Sequence, residues 1–132
     1  MRKIIVCTCI MAFIAVSAQK QQPAKQSGSE LYKQYCLSCH QVNGSGVPRM
    51  NPPLIKTSYV TGDKKKLIKW VLQGSVENVP IDGNYYSNNM PAQNYLTDQQ
   101  IADVLTYIRS SFGNKASAVT AAEVKTVRAS IK

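Results

Sequence analysis

The chain has 132 residues, 44% of them apolar, and sets 16 Lys and Arg against 7 Asp and Glu for a net charge of +9. That length holds one small core and, with no internal repeat, not two. The basic excess comes without basic–aromatic interleaving or a recognisable nucleic-acid module, which points away from DNA and RNA as partners.

Met1-Arg2-Lys3 leads into an apolar run from Ile4 to Val16, closed by Ser17-Ala18. A basic start, a short apolar stretch and small residues at its end describe a secretory signal peptide over 1–18. An uncleaved anchor is the competing reading; the run holds two Cys and one Thr and falls short of the ~18 apolar residues of a spanning helix. Lipidation at Cys7 or Cys9 does not fit either, because most of the apolar run follows them. Export predicts a periplasmic protein without stable membrane insertion. Loss of Arg2 and Lys3 would leave a charge of about +7. Residues 19–28, rich in Gln, Ser and Lys, read as a flexible lead-in, and 29–132 as a single domain.

A first helix is predicted from about Ser29, with Ser27 or Ser29 as N-cap and Leu31 and Tyr35 on one face. It runs into Cys36-Leu37-Ser38-Cys39-His40. The pattern C-x-x-C-H reads as a c-type haem attachment site: two thiols for the haem vinyl groups and an adjacent imidazole for the iron. His40 is the one histidine in the chain. A zinc site would want four ligands, and the other two thiols, Cys7 and Cys9, lie in the expected signal. A thioredoxin-like C-x-x-C should follow a strand, and the residues before Cys36 read as helix. A plain disulfide would leave His40 unused.

Gln41 to Thr61, with Gly44, Gly46, Pro48, Pro52 and Pro53, shows no period and reads as loop. Asp63 to Gln73 reads as helix, with Leu67, Ile68, Val71 and Leu72 at helical spacing and Gly74 as its stop. Ser75 to Tyr95 is again irregular, and loops this long are usually functional. Thr97-Asp98-Gln99-Gln100 is a capping box opening a helix that ends near Gly113. Thr120-Ala121-Ala122-Glu123 is a second, opening a short extension helix from about 120 with Val124, Val127 and Ile131. No segment alternates as a strand does. The expected fold is all-α, a few helices and long loops around one covalently attached haem.

His40 leaves one axial position to fill. Past the signal the methionines are Met50 and Met90. Met50 sits in the loop that follows His40, and is expected to line the histidine side. Met90, in Asn88-Asn89-Met90-Pro91, is expected to return across the other face as the second metal ligand, where a thioether favours reduced iron. The plainer alternative is a packing methionine. Trp70, Tyr85 and Tyr86 are expected to wall the haem or reach a propionate.

From Gly28 to about Gly113 the chain resembles the class I (mitochondrial-type) cytochrome c family, with haem motif, Met-Pro loop and terminal helix in that family's order. The resemblance implies that Gly28 and Tyr32 pack the first helix across the last, against Val104 and Tyr107. It implies that the Pro52 carbonyl accepts a hydrogen bond from His40 Nδ1, and that Leu54 presses on the haem. The implied haem site is Cys36, Cys39, His40, Met90, Pro52 and Leu54, with haem c joined through Cys36 and Cys39. Gly44-Ser45-Gly46-Val47-Pro48, leading to Pro52-Pro53-Leu54, looks like bacterial cytochromes that serve periplasmic dehydrogenases of alcohols, sugars or sugar acids.

The function this predicts is one-electron transport between a periplasmic dehydrogenase and a respiratory acceptor, without enzymatic activity of its own. The protein would be a monomer or a dehydrogenase subunit. Lys64, Lys65, Lys66 and Lys69 crowd one turn; they read either as a steering surface for an acidic redox partner or as a solvated helix face. A rival function is a haem sensor or enzyme with a displaceable sixth ligand.

Overall fold

A computed structural model describes residues 25–75 and 79–131. The expected signal peptide and residues 19–24 of the lead-in lie outside the described residues. Six helices follow one another: α1 Gly28–Tyr35, α2 Leu37–His40, α3 Ser58–Thr61, α4 Lys64–Gln73, α5 Asp98–Ser110 and α6 Ala121–Ser130. Among the described residues there are no strands, only isolated bridges between Val47 and Asn51 and between Ile81 and Asn84.

The start signals act where the sequence places them. Ser27 caps α1 in a box with Glu30, Thr97 caps α5 with Gln100, and Thr120 caps α6 with Glu123. Each box satisfies backbone N–H groups that the first helical turn leaves open. The first helix therefore takes in Gly28, one residue of the expected lead-in. Helix α5 stops at Ser110, short of Gly113, because Phe112 and Gly113 both turn to positive φ (58° and 77°). Ile131 lies just past α6 as its C-cap. The short α3 falls inside the expected loop. It is a single turn capped by Thr57, too brief for any apolar period to reveal.

Helices α1 and α5 cross at the centre. Gly28 permits this: a Cβ there would run into the Asp103 carbonyl and lie 2.8 Å from Tyr107 Cβ. Beside the crossing, the Tyr32 ring sits 5.6 Å from that of Tyr107 and 5.2 Å from that of Phe112, tilted against both. The Tyr32 hydroxyl, carried inward with its ring, donates to the Gln41 carbonyl at 2.6 Å. Leu31, Ile68, Ile101 and Leu105 complete a dry centre, on which α4 brings Leu67, Val71 and Leu72 and α6 brings Val124 and Val127.

The two long loops are stitched together. Ser87 and Asn88 donate backbone N–H groups to the carbonyls of Arg49 (2.8 Å) and Met50 (3.0 Å). Asn88 Nδ2 donates to Asn51 Oδ1 at 3.1 Å. A cleft opens between the loops and the face formed by α4 and α5.

Candidate functional site

One turn of helix assembles one side of the cleft. The Cys36 carbonyl accepts from His40 N at 2.9 Å and from Cys39 N at 3.2 Å, so positions i, i+3 and i+4 share a face. Cys36, Cys39 and His40 all line the cleft. Both cysteines are free thiols, Cys36 half-buried and Cys39 exposed. Burial, and then the neighbouring Cys39, push the Cys36 thiol up to about 11.

His40 is buried, with 8% of its surface exposed. Its Nδ1 lies 2.9 Å from the Pro52 carbonyl, which can only accept, so Nδ1 carries the proton and Nε2 keeps its lone pair. Burial lowers the imidazole pKa below its ordinary value, and the carbonyl pulls the other way. The result is a neutral ring held in the tautomer a metal ligand needs, with a carbonyl behind it to strengthen its basicity.

Met90 lines the same cleft from the second loop. Its backbone is clamped: Met90 N donates to Ser75 Oγ at 2.8 Å, and Ser75 N donates to Met90 O at 2.9 Å. Gly74 makes room for that clamp. Its φ is +73°, and a Cβ would collide with the Met90 carbonyl and with Ala92 N at 2.7 Å. A glycine read from sequence as a helix stop thus also seats the methionine loop. Nothing local to Gly74-Ser75 names its partner fifteen residues on.

Leu54, Trp70 and Tyr86 line the cleft as expected, and Tyr59 joins them, its ring edge-on to Trp70 at 5.2 Å. Two residues stand apart from the cleft. Tyr85 is 60% exposed and Met50 46% exposed, and neither lines the cleft; Met50 instead lends its carbonyl to the loop-to-loop stitch. Asn114 is buried. Its Nδ2 donates to Leu54 O (2.9 Å) and Ile108 O (2.8 Å), and its Oδ1 accepts from Lys56 N (2.7 Å). It ties the loop carrying Leu54 to the end of α5.

No Asp, Glu, Lys or Arg lines the cleft among the described residues. Lys64 is engaged by Glu123 at 2.5 Å and Lys66 leans over the Tyr59 ring at 5.5 Å. Among the described residues no group of three or more His, Cys, Asp or Glu is placed to hold a metal ion by itself. Two thiols, a neutral imidazole and a thioether around a mainly apolar cleft fit a haem.

A family model described as cytochrome c matches residues 26–112. The chain is 38% identical over 110 residues to the cytochrome c subunit of a quinone alcohol dehydrogenase from Gluconacetobacter polyoxogenes, covering 80% of this chain and 23% of that one. It is 37% identical over 108 residues to the cytochrome c subunit of a gluconate 2-dehydrogenase from Pantoea cypripedii, covering 78% and 24%. It is 32% identical over 129 residues to cytochrome c-552 from Thermus thermophilus, covering 91% and 85%. The chain therefore spans about a quarter of the length of the dehydrogenase subunits and most of the length of the c-552.

Proposed function

The chain belongs to the cytochrome c family, and from that membership we propose that His40 and Met90 are the two axial ligands of its haem iron. The haem is held covalently through Cys36 and Cys39, and the protein is an electron carrier, alone or as a dehydrogenase subunit. Bound in the cleft, haem supplies a reversible one-electron ferric/ferrous couple. The chain's residues set its terms. The Pro52 carbonyl fixes the ring of His40, and Leu54 packs the cofactor's side of the cleft. The Ser75 clamp presents Met90, whose thioether favours the reduced state.

The observation that carries this reading is the pairing of a preset His40 with a clamped Met90 on one mainly apolar cleft. Its test is the ferric spectrum of the holoprotein. Wild type should be low-spin with a sulfur-to-iron charge-transfer band at the red edge, and Met90→Ala should lose the band while keeping covalent haem. A five-coordinate, high-spin wild type would instead support the sensor or enzyme reading.

The working place follows from the same premise: an exported, periplasmic carrier between a dehydrogenase of alcohols, sugars or sugar acids and a respiratory acceptor. The signal-like N-terminus supports export. No helix among the described residues is long and apolar enough to cross a membrane. Among the described residues, those that both line the cleft and stand exposed are Ser38, Cys39, Asn88, Asn89 and Pro91, and none of these is charged. Contact with the redox partner is made there, and the lysines of α4 act from a distance to steer an acidic partner in.

A further inference from the structure

Helix α6 lies beyond the family match, which ends at residue 112, and the haem site as described makes no use of it. Its last turn carries Arg128. That guanidinium donates through Nε to Asp98 Oδ1 (2.7 Å), through one terminal nitrogen to Asn94 O (2.8 Å) and through the other to Leu96 O (2.7 Å). Asn94 and Leu96 belong to the downstream limb of the Met90 loop, between the methionine and the Thr97 cap of α5.

We propose that Arg128 is a positioning residue for the sixth ligand: it locks the downstream limb of the Met90 loop to the first turn of α5. This rests on Met90 being that ligand. The upstream side of the loop is held by the Ser75 clamp, and its middle by Gln93 N donating to Val71 O at 2.9 Å. Arg128 closes the remaining side. Leu96 is buried and lines the cleft, so a limb that swings carries cleft wall with it. A planar guanidinium fixes three directions at once, where a lysine ammonium is a point charge on a flexible stem. The placement also suits the field of the helices, a cation in the last turn of α6 against a carboxylate in the first turn of α5.

The other end of α6 supplies the control. Glu123 pairs with Lys64 on α4 and makes no bond to the described residues of the Met90 loop. Glu123→Gln keeps the reach of the capping box and drops the charge pair, so it loosens the same helix without touching the ligand loop.

The test is displacement of the sixth ligand by added imidazole in the ferric holoprotein, followed by stopped flow to its saturating rate, which reports loop opening. Arg128→Gln should raise that rate and the apparent imidazole affinity about tenfold or more, the size expected when charge-assisted hydrogen bonds are lost. Arg128→Lys should fall between Arg128→Gln and wild type, and serves if the glutamine variant does not accumulate. Glu123→Gln should stay within about twofold of wild type, as surface pairs contribute little. Equal acceleration in Glu123→Gln and Arg128→Gln would reduce Arg128 to general stability and overturn the proposal, as would unchanged kinetics in Arg128→Gln and Arg128→Lys. A wild type without the sulfur band, or one that binds imidazole without saturation, would overturn the Met90 reading itself, a result distinct from either of these.

Discussion

Asn114 is the residue on which the histidine-side loop hangs. One buried amide serves three backbone groups in two segments: Leu54 O, Ile108 O and Lys56 N all turn to this side chain. Asn114→Ala would leave these groups short of partners in a part-buried site and should cost about 1–3 kcal/mol, the range for leaving such polar groups unsatisfied. Chemical denaturation of the holoprotein measures this; a loss below about 0.5 kcal/mol, the size of an ordinary surface change, would contradict it. The two kinds of residue differ in how far they can be read. The contact between His40 and Pro52 follows from a twelve-residue spacing and a family pattern, and the atoms sit as expected. Asn114 reaches partners 58 and 60 positions away, and no local pattern announces such a reach. Ser75 is silent for the same reason.

At the scale of helices, capping chemistry carried the reading. Two capping boxes, at Thr97 and Thr120, and the apolar stripes of α4 and α5 were legible because each is written within a few residues; at α1 the N-cap was legible as Ser27 or Ser29, and its box with Glu30 was not. Helix α3 was not, being one turn without a stripe, and the crossing geometry of α1 and α5 was legible only through the glycine that permits it. Helix α6 gives a pH prediction. Hydrogen bonding from Lys64, then from the Thr120 backbone, holds the Glu123 carboxyl down at about 2 from an ordinary 4.5. Because the folded value is the lower one, the stabilisation is present above about pH 4.5 and is lost as pH falls towards 2. Glu123→Gln should therefore flatten the acid limb of a plot of stability against pH in that window and leave its shape near neutrality unchanged. An identical acid limb in the variant would remove Glu123 from the account of acid unfolding.

Over the whole molecule, charge and cleft are separated. The chain is strongly basic, yet among the described residues the exposed rim of the cleft is made of Ser38, Cys39, Asn88, Asn89 and Pro91. Field from the lysines should hasten encounters with an acidic partner, and salt should screen it over about 8–10 Å. Association with such a partner should slow as ionic strength rises, and Lys65→Glu should lower the association rate while the transfer rate within the formed complex stays put. Salt-independent association would remove steering and leave the uncharged contact patch standing.

The account as a whole turns on which atoms hold the iron. X-ray absorption at the iron edge of the ferric holoprotein counts them directly. The prediction is five nitrogen neighbours and one sulfur in wild type, with the sulfur gone in Met90→Ala. A wild-type iron with no sulfur neighbour, or a sulfur that survives the substitution, would contradict it.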